Sequence, residues 1–235
     1  VKLHKNLTVA GSRYEIVDSN LRLGIFTPGR ALFTVQAEAS LKGLVVFSCG
    51  YSADAVKPWF VGFVEACTTV DKKQQRIFCR ELSASLYYRL PLALRDVDLQ
   101  KTLDQIADTS GLQFVLPSGG QSYLTTKAAA FYNTANGFHA MDSLAYVFGI
   151  TKPLWQQLTD GKVFVGSWDD SPWANKKVEI DRSWERQLTS HNGATLPALP
   201  ALRPGALYNG SVLTDVEFTG TQMNISWSAN PWADR

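Results

Sequence analysis

The chain has 235 residues, 45% of them hydrophobic and 19% charged, with a formal net charge of +2. That composition suits one large domain or two to three small ones and argues against bulk disorder. It carries no Lys/Arg-rich block, so there is no nucleic-acid footprint, and no apolar run approaches the roughly 20 residues that cross a bilayer.

Val1 to Leu7 carry charges with no hydrophobic stretch behind them, so no secretory signal is read and synthesis in a host cytoplasm is expected. Tyr14 to Leu23 and Arg30 to Gln36 are β-rich or alternating, with Thr27-Pro28-Gly29-Arg30 as the turn between them. Leu44 to Phe47 reads as a short apolar strand. Pro58 opens another, Trp59 to Val64, in which Gly62 marks a bulge or a close backbone approach. The polar turn Asp71 to Gln75 leads into a return strand, Arg76 to Arg80. Residues 1–90 therefore read as an antiparallel barrel or sandwich, the first β-barrel module of the chain's domain organisation.

The pattern changes after Pro91. Leu99, Leu103, Ile106 and Ala107 share one helical face, Asp98 suits the N-cap, and Gly111 suits the residue just past the end. Leu112 to Leu116 reads as a strand closed by the turn Pro117 to Gly120. A second helix is expected over Gly137 to Phe148, burying Ala140, Leu144, Val147 and Phe148, with Gly149 ending it. Residues 91–160 are read as a small α/β insert.

From Lys162 onward the chain returns to β, through Val163-Phe164-Val165, Lys177 to Ile180, and runs around Leu207 and Val216. The prolines in Leu196 to Gly205 predict an extended crossover or an edge. Asn209-Gly210 marks a hairpin, and Met223 to Trp227 alternates as a strand. The polar tail, Asn230 to Arg235, is expected to be loosely held or docked on a neighbour. Residues 161–235 form a second β-barrel module. One internal echo links the two: Pro28-Gly29-Arg30-Ala31-Leu32 and Pro204-Gly205-Ala206-Leu207 each open a strand. The fold class expected is mainly β with a small α/β insert, two similar antiparallel β-barrel modules flanking a helix-containing region.

No catalytic, cofactor or metal constellation emerges. Asp169-Asp170, with Glu65, Glu81, Glu179, Glu185 and Glu217, could in principle supply paired carboxylates for glycoside hydrolysis, but a solvated turn is the better reading of the Asp pair. His4, His139 and His191 lack metal-ligand spacing. Cys49, Cys67 and Cys79 are odd in number without Cys-x-x-Cys spacing and read as buried thiols. Ser48-Cys49-Gly50-Tyr51 lacks a nucleophile elbow and reads as a turn with a half-buried thiol, while Gly119-Gly120 lacks the Lys of a phosphate loop.

Taken in order, these elements resemble the hub proteins of contractile and long flexible phage tails, including the late-control tail proteins of temperate phages. The same fold forms the base of type VI secretion spike proteins. The resemblance rests on the Pro-Gly turn and strand of Thr27 to Gln36, the Phe-x-Gly-x-Val-like strand Phe60 to Val64, and the Arg-Ile-x-Cys-like strand Arg76 to Arg80. It continues through the crossover, helix and Gly-Leu-x-Phe-like strand of Tyr87 to Phe114, the second helix from Gly137 to Leu144, and Arg203-Pro204-Gly205.

The resemblance implies a structural virion protein, not an enzyme: a homotrimeric hub or baseplate ring at the distal end of the tail. Two barrels per subunit would give three copies six similar surfaces, adapting a sixfold tube to a threefold tip. Implied partners are a tail tube or distal tail protein above, a tip or spike protein below, and the tape-measure protein, with no membrane, cofactor, metal or sequence-specific nucleic acid. No needle or lysozyme-like extension is seen, so those functions are expected on separate proteins. The seven Trp, with Tyr87 and Tyr88, are candidate interface anchors. A different class, a carbohydrate-binding tail module, is suggested by Trp155, Trp168, Trp173, Trp184, Trp227 and Trp232 in the C-terminal part, because flat aromatics stack on sugar rings.

Overall fold

The computed structural model describes residues 2–233 apart from 186 and 191. Histidine 191 and the last two residues of the tail therefore lie outside the described residues. The first strands are β1 (His4–Val9), β2 (Ser12–Tyr14), β3 (Ile16–Gly24), β4 (Arg30–Gln36), β5 (Leu44–Gly50), β6 (Lys57–Thr69) and β7 (Gln74–Glu81). The middle of the chain supplies β8 (Leu92–Asp98), α1 (Leu99–Ser110), β9 (Phe114–Val115), α2 (Ser122–Thr125), β10 (Lys127–Asn133), α3 (Gly137–Phe148), β11 (Pro153–Gln157) and β12 (Val163–Ser167). Then come β13 (Lys177–Val178), β14 (Gln187–Ser190), β15 (Gly193–Pro197), β16 (Leu207–Tyr208), β17 (Ser211–Thr219) and β18 (Gln222–Ser228). The protein is mainly β with a small helical part.

Both β regions belong to one 13-stranded sheet, ordered β14-β15-β18-β17-β3-β4-β7-β6-β5-β1-β2, with β16 added to β17 and β13 to β16. The seam is the antiparallel pair β17–β3, running from Asp215 opposite Gly24 to Thr219 opposite Asn20. Its inward residues, Leu21, Leu23, Val216 and Phe218, join a core that draws on both halves, including Phe33, Phe47, Trp59, Leu196 and Ile225. Side chains tie the seam further. Lys5 Nζ donates to the carbonyl of Gly220 and sits 5.0 Å from the Phe218 ring centroid, and Tyr51 OH donates to the carbonyl of Ala198.

A second core fills the middle of the chain, where Leu99, Leu103 and Ile106 of α1 meet Ala140, Met141, Leu144 and Phe148 of α3. Val147, expected on that buried face, is half-buried. Both helices follow their local signals. Asp98 Oδ1 accepts from the Lys101 amide at 2.9 Å, and Gly111 closes α1 at φ 71°. Asn136 caps α3, and Gly149 closes it at φ 71°. The α3 start is close-packed, since a Cβ on Gly137 would lie 2.8 Å from the Leu86 carbonyl oxygen.

Several elements differ from the sequence reading. β1 and β2 form a hairpin through Ala10 (φ 49°) and Gly11 (φ 82°), where no strand was read before Tyr14. β8 pairs with β10, an unread two-stranded sheet, and β12 lies between β11 and β9. Pro197 ends a strand, β15, that is flanked on both sides by β14 and β18, so the proline-rich crossover begins after it. Ser48 to Gly50 lies in β5 instead of a turn, and Cys49 is fully buried, not half-buried. The hairpin at Asn209-Gly210 is as read, with φ 46° and 87°. Gly62 marks a close approach: a Cβ there would sit 2.0 Å from the Arg80 carbonyl oxygen.

Candidate assembly surface

The two echoing Pro-Gly segments meet at one buried ion pair. Gly29 donates its amide to Glu81 Oε2 at 2.6 Å and accepts from the Glu81 amide at 2.9 Å. Arg203, just before Pro204-Gly205, lies 3.7 Å from Glu81, with side chains only 5% and 6% exposed. Its guanidinium also donates to the carbonyls of Trp59 and Gln157 and lies 5.6 Å from the Trp59 ring centroid. Gln157 bridges onward, donating to Val61 O at 2.8 Å and accepting from the Ser83 amide at 2.9 Å. Burial pushes the Glu81 carboxyl up and the Arg203 guanidinium down from their ordinary ranges, because each loses water that its partner only partly replaces. β4, opened by the first Pro-Gly, pairs with seam strand β3; β16, opened by the second, pairs with seam strand β17. The cluster clips the two halves and the insert at a single point.

The tryptophans divide sharply. Trp59, Trp168 and Trp173 are buried; Trp155, Trp227 and Trp232 are half-buried; Trp184 is 53% exposed. Trp168 Nε1 donates to Gly205 O at 2.8 Å, and Trp227 packs on Tyr208 with centroids 5.2 Å apart. Trp232 donates to Pro153 O at 2.9 Å and packs on Trp168 at 5.5 Å, so this part of the tail docks on its own chain, not loosely.

Outside the cores, one aromatic surface stands out on the insert. Tyr88 packs edge-on to Tyr87 (6.4 Å), Tyr87 to Phe138 (6.2 Å), and Phe138 stacks on Trp155 (5.6 Å, 25° between planes). Trp155 Nε1 is held by Asp142 Oδ1 at 2.9 Å. Beyond it a groove runs between α3 and β11, lined by Met141, Ala145, Tyr146, Ile150 and Pro153. Tyr87, Tyr88 and Tyr146 are 66%, 73% and 93% exposed. Rigid aromatics with polar tips lose little conformational entropy on association, which is why they anchor interfaces. Tyr87 and Tyr88, candidate anchors in the sequence, are exposed in the structure. The sequence did not single out Phe138 or Tyr146 for this surface, although Tyr146 sits two residues from Leu144, about 200° around the helix from the buried face, and that offset was the available signal for its exposure.

The candidate acids are engaged separately or exposed. Asp169 pairs with Lys152 at 2.9 Å, and Asp170 accepts from Tyr123 OH at 2.6 Å. Glu65 lies 3.9 Å from Arg80, Glu185 accepts from Tyr208 OH at 2.7 Å, Glu217 accepts from Asn20 at 2.8 Å, and Glu179 is exposed. Among the described residues each of these acids has a different partner where it has one, and no group of three or more His, Cys, Asp or Glu is placed to hold a metal. His4 lies in β1. His139 Nδ1 contacts Asn133 Oδ1 at 2.9 Å; Asn133 in turn donates to Leu90 O at 2.6 Å, a local network that fixes the start of α3. Cys49 and Cys79 are buried and pushed up to about 12 by loss of solvent, whereas Cys67 is half-buried. Gly119-Gly120 lie in the loop before α2.

The architecture is that of phage tail proteins. The 43 kDa tail protein of prophage MuSo2 from Shewanella oneidensis superposes with a TM-score of 0.69 at 10% identity, over 97% of both chains. A tail protein of Neisseria meningitidis gives 0.65 at 9% identity, over 97% of this chain and 96% of that one. An Escherichia coli component of the type VI secretion system, described as structurally similar to tail proteins of bacteriophage T4, gives 0.59 at 11% identity over 97% and 77%. These likenesses bear out the resemblance read from the sequence at the level of the fold. In sequence, the chain is 30% identical over 228 residues to an uncharacterized 58.7 kDa protein of Haemophilus phage HP1. The match spans 96% of this chain and 42% of that relative. No protein-family model matches.

Proposed function

We propose that the chain is a structural tail protein, a homotrimeric hub at the distal end of a phage tail that adapts a sixfold tube to a threefold tip. The observation that carries this reading is the joining of two β regions across β3–β17, each with its own Pro-Gly strand opener beside the seam. In this reading residues 1–90 and 161–235 are the two barrel-like modules and 91–160 the insert. Three copies then present six related surfaces to a tail tube or distal tail protein above, with a tip or spike protein below and the tape-measure protein in reach. The aromatic surface of the insert serves contacts with neighbouring subunits. A fold shared end to end with two tail proteins supports a structural role, and the engagement of the acids by separate partners supports assembly over hydrolysis.

The carbohydrate-binding alternative needs flat aromatics facing solvent. In the C-terminal part Trp168 and Trp173 are interior, Trp227 and Trp232 are packed, and only Trp184 exposes more than half its surface among the described tryptophans. The hub reading is therefore preferred.

Light scattering with negative-stain imaging tests it. A particle of about 78 kDa, three times the 26.0 kDa chain, with three lobes is expected. A monomer at every concentration, alone and mixed with the tail tube protein of the same phage, refutes it.

A further inference from the structure

Three arginines stand in one row across the outer face of the sheet. Arg22 of β3 is directly opposite Arg30 of β4, and Arg30 is directly opposite Arg80 of β7. Together with Gly24, Thr27, Pro28, Phe78 and Asp215 they line a cleft of about 490 Å³. Like charges directly opposed in an antiparallel pair destabilise the sheet, so this row opposes folding of the isolated chain.

The ends of the row are neutralised and its centre is not. Arg22 pairs with Asp215 at 3.2 Å, and Arg80 lies 3.9 Å from Glu65. Arg30 is exposed and makes no ion pair or side-chain hydrogen bond among the described residues. Arg80 adds a buried Nε without a hydrogen-bond partner. An anion entering between the two existing pairs would meet the unpaired Arg30 guanidinium, with Arg80 directly beside it. Guanidinium N–H groups favour bidentate carboxylates or phosphates, so the anion's source must come from the surroundings.

Those surroundings favour protein over nucleic acid. Carboxylates already sit at both ends, and Glu217 lies opposite Arg22, so a run of phosphates would be repelled on either side. The neighbouring outward row offers two adjacent apolar side chains, Leu32, 41% exposed, opposite Phe78, with Asn20 on the far side of Leu32. We propose that the Arg22–Arg30–Arg80 row is a docking site for an extended acidic segment of a partner protein, one carboxylate entering at Arg30 with an adjacent apolar side chain on Leu32 and Phe78. The inference is independent of the hub reading, since a monomeric particle would defeat that reading and leave this site testable.

The probe is a terminally blocked pentapeptide alternating Glu and Val, titrated into the full chain by NMR, with the Gln/Val peptide as control. Shifts are expected in β3, β4 and β7 with the Glu peptide and none with its Gln counterpart. Arg30→Gln should weaken binding about fivefold or more, and added salt should weaken it in the wild type. Lys72→Gln, which removes the same charge from an exposed turn, should leave it unchanged. Because the row is self-repelling, Arg30→Glu should raise the melting temperature while abolishing binding, which separates loss of the site from loss of the fold. Equal binding of the two peptides overturns the proposal, as does an unaltered Arg30→Gln. So does a short DNA duplex that binds more tightly and displaces the peptide, or self-association of the wild type that Arg30→Gln abolishes.

Discussion

Replacing Glu81 with Gln removes one charge from the clip between the two β halves while keeping a carbonyl oxygen for the Gly29 amide. The Arg203 guanidinium, 5% exposed and 3.7 Å from Glu81, then stays buried without a counter-ion and cannot shed its proton. Breaking a buried pair from one side costs about 3–5 kcal/mol. For a chain of this size a loss of about 3 kcal/mol lowers the melting temperature by roughly 6–12 °C. Arg203→Met should also be costly, because it strands the carboxylate and removes donors from the carbonyls of Trp59 and Gln157. The double variant should lose less than the sum, since neither buried charge remains, with a coupling of about 2 kcal/mol by urea unfolding. If the singles add to within about 0.5 kcal/mol, or Glu81→Gln costs under about 1 kcal/mol, the clip does not join the halves energetically.

Gly62→Ala should destabilise by about 3 kcal/mol or more in the same assay, because its Cβ would meet backbone, the Arg80 carbonyl, which cannot move without breaking β6 from β7. Tyr146→Ala should change stability by less than about 0.5 kcal/mol, as expected for so exposed a side chain, and the proposed trimer further requires it to shift the subunit equilibrium toward monomer in light scattering. The thiols predict an alkaline limit. Cys49 and Cys79 are held near 12 in the fold against an ordinary 9.0, so the unfolded chain loses those protons first. Stability from each is full below pH 9 and falls by about 1.4 kcal/mol per pH unit as pH rises toward 12. Cys79→Ala should flatten that fall in denaturation curves from pH 9 to 11. At pH 8 the half-buried Cys67 should react with a thiol reagent before the other two.

Short-range physics made some elements readable directly. The bounds of α1 follow from Asp98 and Gly111, because an N-cap oxygen and a left-handed residue satisfy backbone groups within one turn. The Asn209-Gly210 hairpin and the tight approach at Gly62 are likewise consequences of one or two residues. Order and spacing of such pieces sufficed for the resemblance to tail proteins, which the fold bears out.

What lay beyond the sequence depended on which distant strand each segment met. β1, β8 and β11 have weak patterns of their own and are strands because β5, β10 and β12 hold them. The seam joins residues about two hundred positions apart, and the Glu81–Arg203 pair exists only once it has formed. The arginine row shows the same dependence most plainly. Arg22, Arg30 and Arg80 are unremarkable in the chain, and a slip of one residue in either pairing would send one of them to the opposite face. Local residue chemistry thus settled the two long helices and the Asn209-Gly210 turn, while strand register, a long-range property, decided which charges and aromatics face one another.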